Sequence, residues 1–235
     1  MKYLVQTENI TEEKNKDLDY DRIVLDNTDG NVYVIEPKYK LIDLGLPSGT
    51  LWMDRNVGAK DITDNGLYFQ WGDTQGYNFS DENSKIIFTL EHYKYYDVST
   101  SSFTKYNSID NLSELDNEDD AVYKWTHGKC VMPSHLQLQE LLDNTTYEPH
   151  YSNGEDYSLL ISNNNGKTLY CTSGGWMGEG KYYLSYAHLW AKDLLTTDVT
   201  KAYQLSCLFN YAIANEYYSF KRHNGIQIRG VLKTN

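Results

Sequence analysis

Closely spaced glycine and proline turns between aromatic and apolar runs constrain this chain most, and they are densest in residues 41–72. The Pro-Ser-Gly tripeptide at 47–49 predicts a turn between two short strands, because proline fixes φ and glycine allows positive φ. Asn-Gly at 65–66, followed by the apolar run 67–71, predicts a hairpin turn and then a strand. Large aromatic side chains dominate core energetics, so we expect three residues of this segment in the core: Trp52, Phe69 and Trp71.

One helix is predicted, over residues 134–144. Ser134 suits the N-cap position, and Gln137 three residues later completes a capping box. Three leucines share one face of this helix and should pack against a sheet: Leu138, Leu141 and Leu142. The fold class that follows is α+β and β-rich.

The first 37 residues form a separate predicted region, followed by a domain over 38–235. Residues 1–16 are polar and acidic, typical of an extended arm, whereas Asp-Gly at 29–30 between the apolar runs 22–25 and 32–35 predicts a β-hairpin. An isolated two-stranded hairpin is marginal in water. The region is therefore either an anchoring and oligomerising segment or an added edge on the main sheet.

Composition excludes several classes of function. The net charge of −12 argues against nucleic acid, whose phosphates require basic residues, and against an anionic membrane surface. No apolar run is long enough for a transmembrane helix, and residues 1–16 lack the pattern of a secretory signal peptide. The chain contains no recognisable catalytic motif, and its 6 histidines have no metal-ligand spacing, so we expect no enzyme activity.

Cysteines and acidic clusters predict no bound cofactor. The 3 cysteines, an odd and widely spaced set, are expected to be buried free thiols. The acidic run 115–120 permits a calcium site, but it lacks the EF-hand glycine and also suits a solvated face or a helix N-terminus. Asp17, Asp19 and Asp21 form a shorter acidic fragment. It is followed by Arg22 at the position where an EF-hand loop has glycine.

Tyrosine is unusually abundant, with 22 residues. Tyrosine suits recognition surfaces because it gives contact area at low entropic cost, and it also suits half-buried strands. The segment 176–222 is the predicted ligand surface, although about half of its aromatics could be core. The candidate ligand-binding residues are Tyr182, Tyr183, Tyr186, His188, Trp190, Tyr211, Tyr217 and Tyr218. Nearby basic residues favour an acidic glycan, namely Lys181, Lys201, Lys221 and Arg222.

Short motifs in a fixed order resemble those of the Fibrobacter succinogenes major paralogous domain, which occurs in surface proteins of gut Bacteroidetes and of their phages. The resemblance covers roughly residues 39–235. Its motifs are LGLPSGTLWMDRNVGA at 44–59, YFQWGD at 68–73, KYN at 105–107, DDA with a tryptophan at 119–125, VMPS and a helix from 131, GKTLYCTSGG at 166–175 and GIQIRGV at 225–231. The chain departs from the family pattern at Cys130-Val131, where Trp-Arg is usual, and at Gly230, where proline is usual.

The resemblance implies a C-type-lectin-like fold and a binding role. It implies a virion structural or adhesion protein, a fibre or decoration of a phage head or tail, that binds host or mucus glycans. The implied partners are further copies of the chain, as a trimer or a dimer, other virion proteins through the N-terminal segment, and a host-surface glycan or protein. The alternatives are an adhesin of a bacterial surface and a purely structural capsid decoration without a ligand.

Overall fold

The structure, a computed structural model, describes residues 20–26, 32–37, 39–80, 84–151 and 156–233. The chain divides into two compact units, residues 1–40 and residues 41–235. In the described part, the strands are β1 Tyr20–Asp26, β2 Val32–Pro37, β3 Leu41–Asp43, β4 Leu51–Met53, β5 Tyr68–Phe69, β6 Tyr96–Asp97, β7 Ser102–Phe103, β8 Cys130–Val131, β9 Thr145–His150, β10 Tyr157–Ser162, β11 Thr168–Thr172, β12 Trp176–Gly178, β13 Lys181–Tyr183, β14 Ala187–Leu194, β15 Lys201–Cys207, β16 Ala212–Ile213, β17 Phe220–Lys221, β18 Ile226–Gln227 and β19 Val231–Leu232. The helices are α1 Ser84–Ile87, α2 Ala121–Trp125 and α3 His135–Asp143, with 3₁₀ turns at Leu90–His92 and Glu216–Tyr218.

The N-terminal unit contains the predicted hairpin. Strands β1 and β2 pair antiparallel, with Ile23 opposite Ile35. The hairpin prediction is therefore confirmed at the level of strand pairing. Its Asp-Gly turn and the polar arm at 1–16 lie outside the described residues.

The described part of the second unit has five sheets, two of them the two-stranded pairs β6-β7 and β12-β13. The fold is β-rich with few helices, as expected for an α+β chain. The largest sheet has the order β16-β15-β14-β18-β5, with β17 added on β15. A second sheet has the order β3-β4-β19-β8, so the first and last strands of the unit share one sheet. The third sheet, β11-β10-β9, follows α3 directly.

The core forms where α3 and these sheets meet. Leu138 and Leu141 of α3 are buried in the same cluster as Trp52 of β4 and Leu205 of β15. The predicted core aromatics Trp52, Phe69 and Trp71 are all buried, which confirms that expectation. Because an indole N–H needs a partner when buried, Trp71 donates from Nε1 to the carbonyl of Ala191 at 2.9 Å.

The predicted helix is confirmed together with its cap. Ser134 Oγ accepts from the Gln137 N–H at 3.2 Å, and Gln137 Oε1 accepts from the Ser134 N–H at 2.9 Å. The helix runs from His135 to Asp143. The Pro-Ser-Gly turn is confirmed as well, since β3 and β4 pair antiparallel on either side of it.

The predicted hairpin at Asn65-Gly66 is wrong. Gly66 has the positive φ of 72° that the dipeptide favours, but β5 pairs with β18, near the C-terminus, and not with a strand preceding the turn. Asp61 instead closes the local turn by accepting from the N–H groups of Thr63 and Asp64. A distant strand has therefore replaced the local partner.

Within the residues that the structure describes, no helix combines the length and apolar character required to cross a bilayer.

Candidate functional site: a cluster of exposed aromatic side chains

Several aromatic side chains gather where β9 ends and where the chain turns after β15. The Tyr151 cluster consists of Tyr151, Tyr186, Phe209, Tyr211 and Tyr218. The Tyr151 and Phe209 rings lie parallel at 5.0 Å, and the Tyr186 ring meets Tyr151 edge-on at 6.3 Å. Tyr211 and Tyr218 pack edge to face at 6.3 Å, and Phe209 is 63% exposed. The molecule thus places a group of flat rings in contact with solvent.

The backbone under this cluster is held by hydrogen bonds. The Leu208 carbonyl accepts from the hydroxyl of Tyr151 at 3.0 Å and from the hydroxyl of Tyr147. The Leu208 N–H donates to the Tyr211 carbonyl at 2.8 Å, and β16 then pairs with β15. The turn at 208–211 is therefore fixed at both ends, which lowers the entropic cost of presenting its side chains to a ligand.

Two phenols of the cluster, Tyr151 and Tyr211, have a raised pKa and remain neutral at physiological pH. Burial raises the pKa of Tyr151 above its ordinary value. The hydrogen bond between the hydroxyls of Tyr211 and Tyr218, at 2.5 Å, raises the pKa of Tyr211. The cluster accordingly offers uncharged hydroxyl donors and acceptors beside apolar ring surface.

A second aromatic pair stands on the β12–β13 hairpin. Trp176 and Tyr183 face each other across the two strands, with their rings parallel at 4.0 Å. Phe220 meets Trp176 edge-on at 5.3 Å. Tyr183 remains partly exposed, so this pair adds further aromatic surface.

The structure places most of the predicted site residues at the surface, but not all of them. Tyr183, Tyr186, Tyr211, Tyr217 and Tyr218 are exposed or half-buried, and Tyr217 is the most open at 85% exposed.

Trp190 and His188 are corrections to the predicted site. Trp190 is fully buried and donates from Nε1 to the Phe69 carbonyl at 2.9 Å. His188 is also buried, with Nδ1 3.1 Å from Ser206 Oγ. Both lie on β14, a central strand of the largest sheet, and neither can form part of an exposed platform.

Tyr182 belongs to another group of side chains. Its ring packs on Phe79 at 4.0 Å, and its hydroxyl donates to the Gly174 carbonyl at 2.7 Å. Because side chains alternate across a strand, Tyr182 and the partly exposed Tyr183 leave β13 on opposite faces. Tyr182 is therefore separated from its predicted neighbour.

The expected basic character of this region is wrong for Arg222. Its guanidinium is buried 4.0 Å from the Phe103 ring, and Nη1 donates to the Tyr106 carbonyl at 3.0 Å. Lys201 lies 3.4 Å from Asp198, and Lys221 lies 3.9 Å from Glu179. These contacts weaken the case for an acidic ligand, which then rests on Lys181, a residue that stays exposed.

The acidic run at 115–120 makes protein contacts of its own. Asp119 lies 2.8 Å from Lys94 Nζ and 2.6 Å from Lys105 Nζ. Burial alone would raise the pKa of Asp119, but hydrogen bonds from these lysines outweigh it and hold that pKa well below its ordinary range. Asp120 caps α2 by accepting from the Tyr123 N–H at 3.0 Å, as the helix N-terminus interpretation expected.

Among the described residues, no group of three or more His, Cys, Asp or Glu side chains is arranged to hold a metal ion. Asp17 and Asp19 lie outside those residues, as does the side chain of Asp21. The 3 cysteines are buried thiols outside any disulfide bond, which confirms that prediction.

Sequence reasoning missed Tyr151 and Phe209. Tyr151 directly follows β9, far in sequence from the predicted surface, and long-range contacts with Leu208 and Phe209 bring the two segments together. Phe209 lies inside the predicted segment, next to Asn210 in a turn. The neighbouring asparagine, a residue typical of turns, was the sequence signal for its exposure. Comparison of the chain with protein-family models, curated proteins and solved structures found no match.

Proposed function

We propose that the unit at 41–235 is a non-enzymatic binding module and that the Tyr151 cluster, together with Tyr217, is its ligand surface. The observation that carries this proposal is the grouping of exposed rings over a turn held by hydrogen bonds at Leu208. Tyrosine and phenylalanine supply rigid contact area at low entropic cost, which is the usual chemistry of a recognition surface.

The proposed ligand is a neutral or weakly charged glycan. A sugar ring has an apolar C–H face that suits Phe209 and Tyr151, and hydroxyl groups that suit the hydrogen-bonded hydroxyls of Tyr211 and Tyr218. Lys201 and Lys221 already have acidic neighbours, and Arg222 is buried. Of the four basic residues, only Lys181 is then left to attract a strongly anionic ligand.

The finer identity of the fold and its setting belong to the same proposal. A C-type-lectin-like fold is supported by the mixed α+β architecture and by the sheet that β4 and β19 share. Display on a phage head or tail rests on the resemblance of the motifs to those of phage-borne proteins. On a virion, many copies would make individually weak glycan contacts effective through avidity. A bacterial adhesin would use the same ligand surface.

The test is binding of the purified chain to an array of mucin glycans and bacterial capsular polysaccharides, with F209A and Y217A as variants. Each substitution removes one exposed ring, so we expect each to weaken binding about 2- to 10-fold, as removal of an aromatic contact worth about 0.5–1.5 kcal/mol would do. The matched control is I109A, since Ile109 is an apolar side chain that is 88% exposed in another loop.

If F209A and Y217A bind glycans as tightly as I109A does, the proposed ligand surface is refuted. Failure of the unaltered chain to bind any glycan, together with its presence in purified phage particles, would instead favour a purely structural decoration.

A further inference from the structure

A separate cavity of about 430 Å³ is lined by side chains from the third sheet and from the turn before β5. Ligand pockets typically measure roughly 300–1,000 Å³, so the cavity is large enough for a small molecule. Its lining includes Asn65, Asp156, Tyr157, Tyr170, Thr172 and Ser173. None of these residues belongs to the Tyr151 cluster.

Two of the lining rings are part of an ordered stack. Tyr157 and Tyr170, from β10 and β11, lie nearly parallel at 4.5 Å. His150 of β9 continues the stack, 4.6 Å from Tyr157. The ring orientations are thus held across three strands, and one wall of the cavity is aromatic.

A buried hydrogen-bond network supports the polar part of the lining. Arg229, 1% exposed, donates from Nη1 to the Tyr170 carbonyl at 2.8 Å and from Nε to Asn56 Oδ1 at 3.0 Å. Asn56 donates in turn from Nδ2 to the Asn65 carbonyl at 3.0 Å and to Thr172 Oγ1 at 3.4 Å. Three lining residues are therefore positioned by a fixed hydrogen-bond network, as a preorganised binding site requires.

An unsatisfied buried amide lies beside the cavity. Gln227 is fully buried, and in the described part of the chain neither Nε2 nor Oε1 makes a hydrogen bond of normal geometry. A methyl group on Gly174 would come within 1.9 Å of Gln227 Nε2 and 2.8 Å of Asn65 Oδ1, so both amides approach Gly174. Of these two amides, Asn65 lines the cavity and can meet a hydroxyl-bearing ligand, whereas Gln227 is fully buried and is not part of the lining.

We propose that this cavity binds a single neutral sugar residue. The inference rests on the proposed function for its ligand class, although it concerns a different surface. The carboxylate of Asp156 disfavours an anion, and no lysine or arginine is among the described lining residues. Asp156 is the one carboxylate among the described lining residues, which is too few ligands for calcium. A wholly apolar ligand would leave the amide and hydroxyl groups unpaired. A sugar residue offers an apolar face to the tyrosines and hydroxyls to Asn65 and Asp156.

The test is a ¹H–¹⁵N NMR titration of the full chain, in EDTA, with the methyl glycosides of glucose, galactose, mannose and N-acetylglucosamine. We expect saturable shifts of the Asn65, Thr172 and Ser173 amides with at least one glycoside at millimolar concentration. The D156N and N65A variants should weaken that binding at least about tenfold. The controls E118A and I109A, in exposed residues outside both proposed sites, should leave it unchanged. The spectrum of each variant reports directly whether it is folded.

The absence of saturable shifts at these amides would overturn the inference, as would binding that D156N and N65A leave intact. Shifts confined to the amides of the Tyr151 cluster would overturn it while supporting the proposed function. Glycan-array binding that F209A leaves unchanged, with the cavity shifts retained, would overturn only the proposed ligand surface.

Discussion

His188 is a polar side chain whose role is decided by burial. It lies beside the Phe220 ring, with its ring nitrogens 3.1–3.2 Å from Ser206, Gln204 and Ser185. Burial lowers the pKa of His188 from about 6.5 to about 4, against a smaller opposing effect of its hydrogen bond to Gln204. The folded protein therefore holds this imidazole neutral.

The pH dependence of stability should reflect this lowered pKa. Between pH 6.5 and 4 the unfolded chain binds a proton at His188 that the folded chain does not. The stabilisation is therefore complete above the unfolded pKa and is lost as the pH falls towards 4, by at most about 3 kcal/mol. Urea unfolding of the unaltered chain and of H188Q across this range measures the effect. We expect a shallower pH dependence in H188Q, and parallel profiles would contradict the assignment.

At the scale of elements, α3 shows how a local pattern can specify a helix. Ser134 and Gln137 satisfy two backbone N–H groups reciprocally, and the apolar face of the helix is buried through Leu138 and Leu141. Both features depend on residues close in sequence, so the pattern alone was sufficient to predict them. By contrast, β5 pairs with β18, and no local pattern could reveal that partner.

Removal of the Ser134 hydroxyl should destabilise the protein measurably. An N-cap serine replaced by alanine typically costs about 1 kcal/mol, because one N–H of the first turn loses its partner. We expect S134A to lower the free energy of unfolding by about that amount, with S134T as a matched control that retains the hydroxyl. Equal losses in the two variants, measured by chemical denaturation, would show that the cap contributes nothing.

At the scale of the whole molecule, the chain consists of two compact units that differ in their secondary structure. The first contains the β1–β2 hairpin, and the second contains the sheets and α3. Two strands alone bury too little surface to be independently stable in water. The role of residues 1–37 as an oligomerising anchor remains a prediction.

Light scattering after size-exclusion chromatography should test that role. We expect the full chain to be a trimer, or alternatively a dimer, and a chain beginning at Lys38 to be a monomer, because the association contacts would be lost with the hairpin. If both proteins are monomers, the hairpin does not mediate self-association. If both form the same oligomer, the interface lies in residues 38–235.

The sequence by itself determined the features that depend on neighbouring residues: the capped helix, the Pro-Ser-Gly turn, the strand pairing of the N-terminal hairpin and the burial of Trp52 and Trp71. Only the tertiary structure decided which aromatic residues of the segment 176–222 are exposed. Trp190 and Tyr183 both belong to that segment, but Trp190 lies on a central strand and Tyr183 on a surface hairpin. It also decided that Tyr151 joins Phe209 and that Arg229 supports a cavity beside Asn65. The physical reason is that exposure and convergence follow from long-range strand pairing, which local residue patterns do not encode.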